Sequence, residues 1–164
     1  MRSFKNIFLL LLILIPSTAY VDKDAKPGFG LSPGSVAPEI RCNGAEKGLL
    51  SSMRGKYVLL QFWATYDAQS RMSNLLLYNT VHRRFAGKVQ TLSMAFDTQK
   101  MIFEETVRTD GIDSTSQIFV PGGEESDVFD TYDLSDGFTN YLIDRNGVIV
   151  AKNVTPDKLA NLVK

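Results

Sequence analysis

The feature that most constrains the fold is the run Tyr57-Val58-Leu59-Leu60-Gln61-Phe62-Trp63. It is short, apolar and rich in β-branched and aromatic side chains, and it follows the turn-like Arg54-Gly55-Lys56, which together predict a central strand buried on both faces. Such a strand needs a covering layer on each side. Met72, Leu75, Leu76, Tyr78, Asn79, His82 and Phe85 recur at three-to-four spacing and stop before Gly87, predicting a helix with one apolar stripe. A second strand is expected from Val89 to Phe96, then a helix through Met101, Ile102, Glu105, Val107 and Arg108 that ends before Gly111. Gln117 to Val120 reads as a short strand halted by Pro121-Gly122-Gly123, with a short helix through Val128 and Phe129 after it.

Near the C-terminus, Tyr141-Leu142-Ile143-Asp144 and Val148-Ile149-Val150 flank Arg145-Asn146-Gly147. Asn-Gly between two apolar runs is a strong hairpin signal, so these strands should be antiparallel. Thr155-Pro156-Asp157-Lys158 opens a terminal helix, with a capping threonine and proline at the first helical position, continuing through Leu159, Leu162 and Val163. The order predicts an α/β sandwich whose sheet mixes parallel strands with a C-terminal β-hairpin.

The ends of the chain narrow its setting. Arg2 and Lys5 precede an apolar run from Ile7 to Ile15 and then Pro16-Ser17-Thr18-Ala19, the three-part pattern of a secretory signal peptide over residues 1–19. The run is shorter than the roughly 20 residues that span a bilayer, and an uncleaved signal segment is the one route to a membrane that the sequence offers. Residues 20–35, with Pro27, Gly28, Gly30, Pro33 and Gly34, have no apolar period and read as a flexible spacer, leaving residues 36–164 as the folded domain. The expected localisation is export to the periplasm or cell envelope of a bacterium. Lys plus Arg equal Asp plus Glu at 18 each, so no basic surface is available for nucleic acid.

Cys42 is the only cysteine and His82 the only histidine. No internal disulfide can form, and a structural zinc site of ordinary ligand count is excluded. No metal and no cofactor are expected.

Three stretches carry a family resemblance: Gly34-Ser35-Val36-Ala37-Pro38-Glu39-Ile40, the segment from Leu50-Ser51-Ser52-Met53-Arg54-Gly55-Lys56 through Phe62-Trp63-Ala64-Thr65, and Tyr141-Leu142-Ile143-Asp144-Arg145-Asn146-Gly147-Val148-Ile149. They resemble the thioredoxin superfamily, specifically its periplasmic or membrane-associated thiol-disulfide oxidoreductases of the redoxin, AhpC/TSA-like kind. The resemblance implies a thioredoxin-like three-layer sandwich. It also implies a Cys-x-x-Cys pair at the start of the first long helix, where this chain reads Asp67-Ala68-Gln69-Ser70. A cis-proline is implied before the hairpin, where this chain has Phe138. A cis bond before a non-proline residue costs about 3 kcal/mol, so a trans peptide is expected there.

Dithiol exchange needs an attacking thiolate and a resolving thiol, and neither Asp67 nor Ser70 supplies sulfur. Asp67 is expected to cap the helix, its carboxylate accepting backbone N–H bonds at the positive end of the helix dipole. The sharper alternative, an Asp67–Ser70 catalytic pair, needs a base, and His82 lies about 22 Å further along the helix at ~1.5 Å per residue. Cys42 reads either as a small buried hydrophobe or as a lone redox or intermolecular thiol. Glu124, Glu125, Asp127, Asp130, Asp133 and Asp136 read as an exposed acidic loop without EF-hand spacing. No catalytic residue is therefore assigned. The expected function is a non-catalytic binding or adaptor domain for a peptide or envelope protein, with Trp63, Tyr66, Gln69 and Phe138 as groove candidates. The alternative is an oxidoreductase or antioxidant protein acting through Cys42 or a partner's thiol.

Overall fold

A computed structural model of the protein describes residues 27–41 and 48–163. The signal-peptide reading, the first part of the spacer and Cys42 lie outside the described residues.

The apolar run forms β1 (Tyr57–Trp63) at the centre of a five-stranded sheet. Its neighbours are β2 (Val89–Ala95), parallel, with Leu60 opposite Leu92, and β4 (Asn140–Ile143), antiparallel, with Leu60 opposite Tyr141. The edges are β3 (Gln117–Phe119), parallel to β2, and β5 (Ile149–Lys152), antiparallel to β4, giving the order β3-β2-β1-β4-β5. The expected mixed sheet with parallel strands and a terminal hairpin is thus what forms. Asp144 shapes the hairpin turn: its Oδ1 accepts from the N–H groups of Asn146 and Val148, both at 2.8 Å.

The helices are α1 (Leu49–Ser52), α2 (Ala68–Arg84), α3 (Lys100–Thr109), α4 (Asp127–Thr131) and α5 (Pro156–Leu162). Because strand side chains alternate, β1 splits the core in two. Val58, Leu60 and Phe62 face Ala37, Ile40, Leu50, Tyr132 and Leu134. On the opposite face, Leu59 packs on Leu77 and Val81 of α2 and Leu159 of α5, while Trp63 packs with Phe103 and Val107 of α3.

Two expectations change. The buried face of α2 is Ser70, Asn74, Leu77 and Val81, whereas Met72 and Leu76 of the expected stripe are exposed. The physical reason lies under the helix, where a polar network replaces apolar packing. Gln61 Nε2 donates to Asn74 Oδ1 at 2.9 Å, Ser93 Oγ donates to the same oxygen at 2.8 Å, and Asn74 Nδ2 donates to Gln117 Oε1 at 3.1 Å. All four residues are buried. This network, in which Gln61 Oε1 is left without a partner, turns the helix so that its polar residues, not Met72 and Leu76, point inward. The second change concerns the expected spacer, whose last residues are tied to the domain. The Gly34 N–H donates to the Ile149 carbonyl at 2.8 Å, Ile149 N–H donates to Ser35 carbonyl at 2.8 Å, and Phe29 bridges to Val36.

Candidate functional site

The positions matching the two family cysteines sit where β1 turns into α2. Asp67 has extended backbone angles and caps the helix, its Oδ1 accepting from the Ser70 N–H at 2.6 Å. Ser70 is buried, and its hydroxyl donates to the Asp67 carbonyl at 3.2 Å and accepts from the Ala64 N–H at 3.3 Å. Asp67 Oδ1 and the Ser70 hydroxyl are therefore spent on closing the turn. The catalytic-pair reading gains nothing from His82, which lies in the last turn of α2, stacked on Tyr78 at 5.9 Å between ring centroids.

Facing the helix start is the loop leading into β4. Gly137 has φ +121°, a left-handed conformation that a side chain would strain, and it turns the chain into Phe138. The described residues contain no cis peptide bond, so Phe138 follows a trans bond. Its ring stacks on Phe96 at 5.7 Å and meets Phe129 edge-on and Tyr66 at a tilt, both at 6.4 Å. An aromatic cluster thus occupies the wall that the family resemblance assigned to a proline. The following residue is committed to the sheet: the Thr139 carbonyl accepts from Phe62 N–H at 3.1 Å. Within the cluster, Tyr66 stays largely exposed, and its hydroxyl donates to Glu124. Burial is the largest cause pushing that phenol above its ordinary range, with the Glu124 bond and the charges of Glu124, Asp97 and Asp67 adding to it.

A cleft of about 710 Å³ separates the two walls. Gln69 and Phe138 line it, together with Asp67, Ser70, Asp133, Asp136, Asn153 and Thr155. Its lining is mostly polar in character rather than the aromatic groove anticipated from the sequence. Trp63 does not belong to it. That residue is fully buried on the α2–α3 side of the sheet, 6.1 Å from the Phe103 ring and packed with Ala95 and Val107. Tyr66 lies on a neighbouring cavity, on the other side of its contact with Phe138.

Sequence reasoning missed two participants. Gln61, taken in the sequence only as part of an apolar run, lines the cleft and anchors the network beneath α2. Asp97, at the end of β2, is buried and receives the Thr65 N–H at 2.9 Å and the Thr65 hydroxyl on Oδ1. The available signal was a carboxylate directly after the apolar strand residues Met94-Ala95-Phe96.

No protein-family model matches the chain. It is similar to a crystallised thioredoxin-like protein from Parabacteroides distasonis, with 41% identity and a TM-score of 0.72 over 82% of this chain and 96% of that one. The thioredoxin domain of a thiol-disulfide oxidoreductase from Bacteroides vulgatus is 26% identical, with a TM-score of 0.63 over 80% of this chain and 95% of that one. The thioredoxin-like protein YneN of Bacillus subtilis is 26% identical over 147 residues, 86% of this chain and 84% of that protein. With the mixed five-stranded sheet and the helix that follows β1, these similarities place the chain in the thioredoxin-like thiol-disulfide oxidoreductase superfamily.

Proposed function

We propose that this protein is an exported, non-catalytic member of its superfamily that binds a peptide or protein of the bacterial cell envelope in the cleft between the start of α2 and the Phe138 loop. The observation that carries the reading is the pairing of an open cleft with a helix start that contains no sulfur and whose polar atoms are engaged in capping. The Phe138 N–H and carbonyl make no hydrogen bond among the described residues, and an extended segment could pair with them as an added strand does. Gln69 and Thr155 supply adaptable polar contacts on opposite sides.

The test uses the full chain on an array of overlapping short peptides from envelope proteins, comparing wild type with Gln69→Trp, which places a bulky ring in the cleft from an exposed helix position. Loss of the bound peptides in the variant, with its urea midpoint unchanged, supports the cleft. Identical binding by both proteins removes it. Insulin reduction by wild type and Cys42→Ser runs alongside, and any rate above background that Cys42→Ser abolishes replaces this reading with the monothiol oxidoreductase.

A further inference from the structure

The 18 basic and 18 acidic residues balance in number but not in space. Lys56 and Lys88 immediately precede β1 and β2, whose first residues Tyr57 and Val89 are paired. Arg145 is in the hairpin turn at the same end of the sheet, since Ile143 pairs with Val58, and its carbonyl accepts the Gly55 N–H at 2.9 Å. Arg54, beside Gly55, lays its guanidinium over Gly147 of that turn. Arg83 and Arg84 close α2, which is joined to the start of β2 by the Lys88 N–H donating to the Phe85 carbonyl at 3.0 Å. All six cations are exposed, and none pairs with a carboxylate among the described residues. Arg84 and Arg145 instead lie over the rings of Phe85 and Tyr57, at 5.7 and 5.6 Å. Two carboxylates share this end: Asp144, whose Oδ1 takes two N–H groups of the hairpin turn, and Asp113 near His82, whose Oδ1 takes the Thr115 N–H.

Acidic residues gather at the opposite end, where Asp67, Asp133 and Asp136 line the cleft and Glu124 and Glu125 the cavity beside it. The seven residues of β1 alone separate the ends by roughly 20 Å at ~3.3 Å per residue, more than two Debye lengths of about 8 Å in physiological salt. The two ends therefore act as separate fields, and the basic one attracts anions although the chain as a whole is neutral.

Its partner is set by shape and by neighbours. The six cations come from loops and a helix end spread across one side of the domain, and none lines the cleft or the cavities beside Tyr66 and His82, so they suit a broad anionic surface better than a small anion. Phe29 is 83% exposed at the same end: it bridges to Val36, which bridges to Val148 just after the hairpin turn. An exposed aromatic ring beside basic side chains suits a lipid–water interface. Pro27, the first described residue, enters there too, so residues 1–26, with Lys23, Lys26 and the apolar run Ile7–Ile15, join the domain on that side. No helix among the described residues is long and apolar enough to cross a membrane, which makes the contact a surface one.

We propose that this end docks on an anionic lipid bilayer, with the six Lys and Arg side chains against headgroup phosphates and the Phe29 ring in the interfacial layer, so that the cleft opens away from the membrane. The inference stands whether or not the cleft binds a peptide, because it uses neither wall.

The experiment is flotation of the full chain with vesicles of equal parts phosphatidylcholine and phosphatidylglycerol, and with vesicles of phosphatidylcholine alone. The ratio of the two partition constants is the readout, because the apolar run at residues 7–15 meets both kinds of vesicle alike. Wild type should favour the anionic vesicles by about tenfold or more, and added salt should abolish the preference. At about fivefold per basic residue held near the surface, Lys56→Glu/Lys88→Glu should lower the ratio by about tenfold or more, whereas Glu125→Lys, a charge change at the acidic end, should leave it within about twofold. Phe29→Ser should weaken binding to the anionic vesicles about threefold. All four substituted side chains are exposed. Equal partition into both vesicles overturns the proposal, as does a ratio unchanged in Lys56→Glu/Lys88→Glu, a ratio moved as far by Glu125→Lys, or Phe29→Ser binding like wild type. Displacement from the vesicles by soluble polyglutamate at equal anionic charge also overturns it and gives the surface to an acidic protein.

Discussion

Replacing Asp67 with alanine tests whether the altered motif is a structural helix start. The substitution removes an acceptor 2.6 Å from the Ser70 N–H, leaving one of the first-turn donors of α2 without its side-chain partner. Loss of such a cap costs about 1 kcal/mol, and loss of the half-exposed negative charge beside the helix N-terminus adds roughly 0.5 kcal/mol. The sum, about 1.5 kcal/mol, should lower the melting temperature by roughly 3–6 °C for a domain of this size. Asp67→Asn keeps the acceptor and loses only the charge, so it should cost about 0.5 kcal/mol. Urea unfolding followed by the fluorescence of Trp63, the single tryptophan and fully buried, reads both variants against wild type. Alanine as stable as wild type, or asparagine as damaging as alanine, would refute the capping argument and reopen a functional role for the carboxylate.

Four further outcomes follow from the same structure. Asn74→Leu leaves Gln61 Nε2 with only its longer bond to Ser93 Oγ, strands the Ser93 hydroxyl proton and Gln117 Oε1, and should destabilise by about 2–4 kcal/mol in urea unfolding despite its added hydrophobicity. Phe138→Ala removes a half-buried ring from contact with Phe96, Phe129 and Tyr66, and thermal melts should show a loss of about 1.5–2.5 kcal/mol. At Glu39, burial alone would raise the carboxyl, but hydrogen bonds from Ser51, Leu50 and Ile40 outweigh it and hold it below the ordinary range. Its stabilisation is therefore complete above the unfolded value of about 4.3 and is lost as pH falls through the folded one, so wild type should exceed Glu39→Gln in urea midpoint at neutral pH and match it in acid. Insulin reduction by wild type should equal that of Cys42→Ser at the uncatalysed rate, measured as turbidity against time.

Much of the architecture was legible because its signals were local. β1 announced itself by an apolar run flanked by turn residues, the hairpin by Asn146-Gly147, and α5 by Thr155 before Pro156, whose hydroxyl does accept the Lys158 N–H at 3.4 Å. The face of α2 was not legible, because apolar period was the only guide and the true inward face begins with Ser70 and Asn74. What holds Asn74 inward is Gln61, Ser93 and Gln117 on three separate strands, a match that exists only after the strands pair. The same limit hid Asp97, whose partner Thr65 is distant in sequence, and it misplaced Trp63, an aromatic beside the motif that packs among Ala95, Phe103 and Val107.

The changes at positions 67, 70 and 138 are physically connected through this hidden layer. A dithiol site needs a helix start that can expose a sulfur and a loop that holds a substrate against it. Here the helix start is closed by Asp67 and Ser70, and α2 is fastened from below by Asn74 to β1, β2 and β3, so that wall of the cleft is preformed. Across from it, Phe138 turns its ring toward Phe96 and Phe129, and Tyr66 is drawn into the same cluster and on to Glu124. Restoring sulfur at 67 and 70 would leave that second wall in place, so the site differs from a dithiol site in both walls and not only in lacking two cysteines.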